Sequence, residues 1–253
     1  DGQLDMVTAA QTPVVLNSFE RNDYQVIAGM VTSLNDAKVL ARRDRGIETG
    51  VDLRGKKIGL TVGSTGHYFL NLFLAQHDIE LNEITVVDIE ASALSAALAE
   101  GDVDAISSWE PHIYRSRTLL GTNAVQLESR GVFREDFYFV SFSAWARENP
   151  DRVQRFLRAI HDAERFIGQN PKESQTIVAQ RLNLDPAFVA AVWSDYTFEL
   201  YLDQAIPLAF EQQALWMREN NIVEKMQPSN YLDFIYFDAL EAVHPAAMTI
   251  IHE

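Results

Sequence analysis

A chain of 253 residues, 47% hydrophobic and 23% charged, has the balance of a folded globular protein, with room for one large or two modest α/β domains. Its net charge of -15 argues against nucleic acid and anionic membrane surfaces, both of which need basic patches. Without cysteine there are no disulfides, no thiolate chemistry and no zinc–thiolate sites. No apolar run approaches the ~20 residues of a membrane helix.

In chain order, the opening segment predicts a short strand over 4–7, a turn at Gln11-Thr12-Pro13 and then a helix. Its pattern has an echo: Gly2, Leu4, Asp5, Val7 and Thr8 correspond to Gly101, Val103, Asp104, Ile106 and Ser107, with Trp109-Glu110-Pro111 closing the second copy. One echo is too little for a solenoid; it fits two similar α/β lobes with a strand-to-loop corner at equivalent positions, chance similarity being the alternative. Residues 25–30 and 38–42 read as strands, and the polar turn 49–55 is a place for the chain to cross between lobes.

Residues 56–73 are the stretch around which the chain is organised. Ile58, Leu60 and Val62 alternate with Gly and Thr as in a short strand; Gly63 breaks it. Ser64 is placed to cap a helix whose inward rows are Phe69/Leu70 and Phe73/Leu74. A strand that ends in Gly-Ser-Thr-Gly and turns into a helix aims backbone N–H groups and two hydroxyls at one spot, a small anion site made of neutral parts. The helix dipole contributes roughly 0.3–1 kcal/mol there when exposed, and more when desolvated. The plainer reading is an ordinary capped helix.

Further on, 84–89 is a strand, 91–100 an Ala-rich helix that delivers the second corner, and 125–127 and 137–142 are strands, the last apolar enough to be the buried return crossing. From Asn149 the pattern turns helical. Asn149 caps, Pro150 takes the first helical position, and Val153, Phe156, Leu157, Ile160, Ala163 and Ile167 share one face. Pro171 and Asp185-Pro186 start further helices, and two more are expected over 207–220 and 232–243, with the aromatic-rich 198–202 and 231–237 in the core. The order is a mixed β/α two-thirds followed by a helical third.

These residues resemble the solute-binding proteins of ABC importers for sulfonates, taurine, nitrate and bicarbonate, with their relatives that bind pyrimidine precursors of thiamine. The shared features are Asp1-Gly2-Gln3-Leu4-Asp5 through Thr12-Pro13, Asp52-Leu53-Arg54-Gly55-Lys56-Lys57-Ile58-Gly59 through Gly63-Ser64-Thr65-Gly66-His67-Tyr68, Glu100 to Ile106 through Trp109-Glu110-Pro111, and the helical stretch with Asn170-Pro171 and Leu184-Asp185-Pro186. Members of that family open with a strand–helix–strand unit before the point where this sequence starts. The resemblance implies a two-lobed type II periplasmic-binding clamp of α/β class with a helical C-terminal third. One lobe would be 1–52 with 143–253, lacking the opening unit, and the other 53–142. Ligand would lie between the lobes, favour the closed state by touching both, and be delivered to a membrane permease.

The candidate ligand-binding residues are Gln11, Thr12, Gly63, Ser64, Thr65, Gly66, His67, Tyr68, Trp109 and Glu110. Ser64 and Thr65, with the amides of Gly66 and His67, would take an acidic head such as a sulfonate or carboxylate; Gln11 and Thr12 would donate from the first lobe, or serve only as turn residues. Trp109 offers a stacking face. Glu110 is an acceptor, or an orienter of a neighbouring donor, and if unpaired it favours a ligand with a donor or a positive group. His67 and Tyr68 fall on the first turn of the same helix. The remaining histidines, His77, His112, His161, His244 and His252, show no paired metal-ligand spacing, and no nucleophile elbow, phosphate loop or dinucleotide fingerprint appears.

The reading is therefore a binding protein and not an enzyme, without cofactor or metal. It would be a monomeric, periplasmic or extracellular receptor, with or without a lipid anchor, for a small anionic solute. The alternatives are an enzyme of the thiamine-pyrimidine synthase type, disfavoured by the absence of cysteine, and the ligand-sensing module of a signalling protein.

Overall fold

The computed structural model describes residues 4–226, 228 and 230–251. Residues 1–3 of the echo and of the resemblance, and His252, lie outside the described residues. The chain forms two compact units: residues up to Ser33 together with those from Asp136 onward, and Leu34–Glu135.

The first unit is built on a four-stranded sheet of β1 (Met6–Ala10), β8 (Glu135–Phe142), β2 (Tyr24–Ser33) and β9 (Tyr196–Tyr201), in the order β1-β8-β2-β9. β1 runs antiparallel to β8, from Met6 opposite Ser141 to Ala10 opposite Phe137. β2 is buried over most of its length, with Val26, Ile27 and Ala28 fully inaccessible, so the sheet is covered on both faces. The helices of this unit are α1 (Gln11–Ser18), α5 (Ser143–Glu148), α6 (Pro150–Gln169), α7 (Pro171–Leu182), α8 (Pro186–Val192), α9 (Ala205–Glu219) and α10 (Asp238–Val243).

The helical third is thus not wholly helical. Its stretch Tyr-Thr-Phe-Glu-Leu-Tyr forms β9, an edge strand paired antiparallel to β2 with a register shift between Gly29 and Val31. Aromatic and β-branched residues there suit a half-buried pleated surface, and Leu200 and Tyr201 are core as expected. Pro150, Pro171 and Pro186 each occupy the first turn of a helix. Asp185 caps as its sequence position predicts, its carboxylate accepting from the Ala187 amide at 2.8 Å. Asn149 does not: its side-chain amide instead donates back to the Trp145 carbonyl at 3.0 Å, because α5 ends directly before it.

The second unit carries a five-stranded sheet of β3 (Lys38–Arg42), β4 (Lys57–Leu60), β5 (Thr85–Asp88), β6 (Ala105–Ser108) and β7 (Ala124–Gln126), ordered β5-β4-β6-β3-β7. β4 lies parallel to both β5 and β6, while β3 is antiparallel to β6 and β7. Side chains alternate across β3. Val39 and Ala41 pack on one face with Ile58, Leu60, Phe69 and Phe73; Leu40 packs on the other with Leu94, Leu98, Ile106 and Ile113. Helix α2 (Thr65–Gln76) covers the first face, and α3 (Leu94–Glu100) with α4 (His112–Leu120) the second.

The chain passes between the units at 33/34 and 135/136, whereas the sequence reading places the passages at the 49–55 turn and after 142. Strand pairing accounts for the difference. β3 hydrogen-bonds to β6 and β7 and so belongs wholly to the second sheet, and β8 is an inner strand of the first.

Candidate ligand-binding site

Two strand–turn–helix corners meet in the second unit. β4 and β6 are adjacent and parallel, so their carboxyl ends lie side by side, one leading into α2 and the other into α4. This is the end of a parallel sheet at which ligands bind.

The first corner is held residue by residue. Thr61 Oγ1 donates to the Ile89 carbonyl at 2.8 Å, the Val62 amide to Asp88 Oδ1 at 3.0 Å, the Gly63 amide to His67 Nδ1 at 3.2 Å, and the Ser64 amide to the Thr61 carbonyl at 3.2 Å. Gly63 has φ of 79°, a left-handed conformation that favours glycine. Ser64 occupies the N-cap position of α2 with extended backbone, yet its hydroxyl makes no capping bond; Oγ is buried and has no hydrogen-bond partner. The Ser64 carbonyl receives the amides of His67 and Tyr68, while the Gly66 amide, in the first turn, has no acceptor four residues back within the helix.

The second corner is packed onto the first. Ser107 Oγ donates to the Gly66 carbonyl at 2.7 Å, and a Cβ added at Gly66 would stand 2.7 Å from the Ser107 carbonyl oxygen. Glycine is therefore required for this closeness. Next to Ser107, Ser108 is fully inaccessible and its Oγ has no partner. A buried hydroxyl without a hydrogen bond costs on the order of 1–3 kcal/mol, so two beside one helix N-terminus call for an explanation.

Trp109 follows, half-buried, its ring edge-on to His112 at 5.6 Å. Burial, the nearby Arg115 charge and, in the opposite sense, Glu110 together leave His112 with a lowered pKa. Glu110 is not an open acceptor. Its Oε1 receives Lys38 Nζ at 2.9 Å and its Oε2 the Tyr114 amide at 2.9 Å, with 5% of the Glu110 side chain and 3% of the Lys38 side chain exposed. With its carboxylate paired, Glu110 does not favour a donor-bearing or positive ligand. Lys38 offsets the charge, leaving a corner that does not repel an anion. Sequence reasoning missed Lys38; the available signal was one charged residue inside the apolar run 37–41.

The structure thus brings together Gly63, Ser64, Thr65, Gly66, His67, Trp109 and Glu110 on one end of one sheet. Thr65 is buried at the first position of α2, and His67 is buried with its pKa lowered by desolvation, opposed in part by Asp88. Tyr68 turns into the core, edge-on to Phe133 at 5.5 Å, and burial raises its phenol pKa. Gln11 and Thr12 belong to the first unit and begin α1. Both are buried, with Gln11 Nε2 donating to Gln213 Oε1 at 3.0 Å and Gln213 Nε2 donating to Thr12 Oγ1 at 2.7 Å. Their side chains tie α1 to α9, a partner too distant in sequence to be read from the turn.

Among the described residues no group of His, Asp and Glu is arranged to hold a metal ion, and no helix is long and apolar enough to cross a membrane.

Two α/β units, the second with two strand-to-helix corners at the carboxyl ends of its parallel strands, have the fold of the periplasmic-binding-protein clamp. Over its full length the chain superposes on the periplasmic aliphatic sulphonate binding protein SsuA from Escherichia coli, with a TM-score of 0.79 at 19% identity and 79% of that chain covered. The NMT1/THI5-like family model matches residues 1–174, and the chain belongs to that family. A putative binding protein of Brucella abortus (strain 2308) is 31% identical over 152 residues, 56% of this chain and 46% of that protein. The chain thus spans about half the length of the first curated relatives it matches. A putative aliphatic sulfonates-binding protein of Bacillus subtilis (strain 168) is 25% identical over 234 residues, 91% of this chain and 70% of that one. The same fold also occurs in the desulfurization enzyme DSZB, at 17% identity and a TM-score of 0.68 over 96% of this chain and 86% of the other.

Proposed function

We propose that this protein is an extracytoplasmic solute-binding protein of an ABC importer. It takes a small anionic organic solute, of which a short alkanesulfonate is the type, and hands it to a membrane permease. The observation that carries this reading is the pair of buried, unpartnered hydroxyls, Ser64 Oγ and Ser108 Oγ, beside the start of α2. A sulfonate oxygen supplies the acceptor that both hydroxyls and the first-turn amides lack, and the helix dipole favours its charge. Trp109 provides the apolar face for the organic part. The names borne by the Bacillus subtilis and Escherichia coli proteins support the sulfonate class.

This is a binding role and not a catalytic one. Glu110 is engaged by Lys38, and His67 Nδ1 accepts from a backbone amide.

Calorimetry with ethanesulfonate, with ethylammonium as the control, tests the reading. Ser64→Ala combined with Thr65→Ala is expected to weaken ethanesulfonate binding at least about tenfold, from roughly 1–2 kcal/mol of lost charge-assisted hydrogen bonding. The melting temperature should move by only a few degrees. Equal affinity in the variant rejects the assignment.

A further inference from the structure

The four residues that lead into α2 owe their conformation to side chains outside the loop itself. Asp88, at the end of β5, takes the Val62 amide, and His67, one turn into α2, takes the Gly63 amide. The Gly63 amide has only a hydrogen to offer, so the Nδ1 that receives it must present a lone pair. The ring in this structure is therefore the neutral tautomer with its proton on Nε2. A proton added at Nδ1 would leave two N–H groups facing each other, and the Gly63 bond must break. Gly63 is the left-handed residue on which the turn pivots, so its loss frees the backbone immediately before Ser64.

We propose that His67 is a positioning residue of the anion corner, a latch that holds residues 61–64 in binding geometry while neutral and releases them, with the bound anion, when protonated on Nδ1. This inference rests on the solute-binding reading for its ligand but not for its hydrogen bond. The ring is well placed for the task. It is buried, and the Asp88 carboxylate on β5, already engaged by Val62, faces it. β6, against which the start of α2 packs, presents the neutral Ser107 and Ser108. Desolvation holds the ring's pKa below the ordinary 6.5 despite Asp88, so the latch is shut at neutral pH and opens on acidification.

Two readouts decide it. By calorimetry, ethanesulfonate affinity of the native protein is expected to fall at least about tenfold between about pH 7.5 and about pH 5, the loss of one organising hydrogen bond and its charge-assisted neighbours. His67→Gln, whose amide oxygen accepts from Gly63 but does not titrate, should hold its affinity within about twofold over the same range. By NMR on the native protein without ligand, the imidazole nitrogens should report a proton on Nε2 at neutral pH, and the Gly63 amide shift should follow the ring's titration. A titrating Gly63 amide with no ethanesulfonate binding at either pH supports the latch and rejects the sulfonate reading. Binding that ignores pH in the native protein, the native pH dependence retained in His67→Gln, or a proton on Nδ1 at neutral pH overturns the latch.

Discussion

Lys38 and Glu110 form an ion pair that has left water almost completely, and this gives it a large and measurable signature. The Nζ–Oε1 distance is 2.9 Å, and neither side chain is more than 5% exposed. Removing one partner of such a pair strands a charge, at a cost of about 3–5 kcal/mol. Lys38→Met is therefore expected to lower the melting temperature by roughly 6–20 °C, at about 2–4 °C per kcal/mol for a chain of this size class. Glu110→Gln alone removes the carboxylate that Lys38 Nζ meets at 2.9 Å and is also expected to destabilise, while its amide oxygen can still receive the Tyr114 N–H. The double variant, neutral at both positions, should recover most of the loss, giving a coupling energy of at least about 2 kcal/mol in a double-mutant cycle read by urea unfolding. Additive single effects, or a Lys38→Met protein as stable as the native one, would refute the reasoning that these two charges depend on each other. Trp109 sits next to Glu110, so the same Lys38→Met change is expected to weaken solute binding without touching the solute.

Three further expectations follow from the same geometry. Gly66→Ala drives a methyl group to 2.7 Å from the Ser107 carbonyl, so it should cost about 1–3 kcal/mol and separate the two corners, weakening ethanesulfonate binding; unchanged stability and affinity would show that the contact is not tight. Asp185→Ala removes the one acceptor on the Ala187 amide and should cost about 0.5–2 kcal/mol in denaturant unfolding, with no effect on binding. Because the folded-state pKa of His67 lies below its ordinary value of 6.5, its contribution to stability is complete above about 6.5 and is lost as the pH falls towards the folded-state value. The acid limb of a melting-temperature profile should therefore be shallower in His67→Gln, and identical limbs would exclude His67 as a cause.

Much of this was readable from the chain. The run from Ile58 to Leu74 announces strand, turn and helix by local rules alone: alternation, a Gly at the break and a 3.6-residue apolar stripe. The structure keeps each of those parts. The echo between the opening segment and Gly101–Pro111 also has a structural counterpart, since β1 and β6 each run into a helix, α1 and α4. Their settings nevertheless differ, β1 being an edge strand and β6 an inner one. What the sequence concealed lies in partners far apart. Gln213 stands about two hundred residues from Gln11 and Thr12, and its bonds convert two expected ligand donors into a tie between helices. Lys38 and Glu110 are 72 residues apart, and only the pairing of β3 with β6 brings them together. β9 was hidden because its aromatic run suits a core helix as well as a strand until β2 is there to receive it. Ser64 shows the opposite failure, a residue whose type and position signal a cap but whose hydroxyl does not cap.

In the proposed binding mode one anion is gripped where α2 begins beside the end of β6. Backbone amide shifts recorded while ethanesulfonate is added test it most directly. The largest saturable changes are expected at Ser64–His67 and Ser107–Glu110. Changes confined to the apolar groove of the first unit lined by Val7, Val14 and Phe142, with those eight amides unmoved, would contradict it.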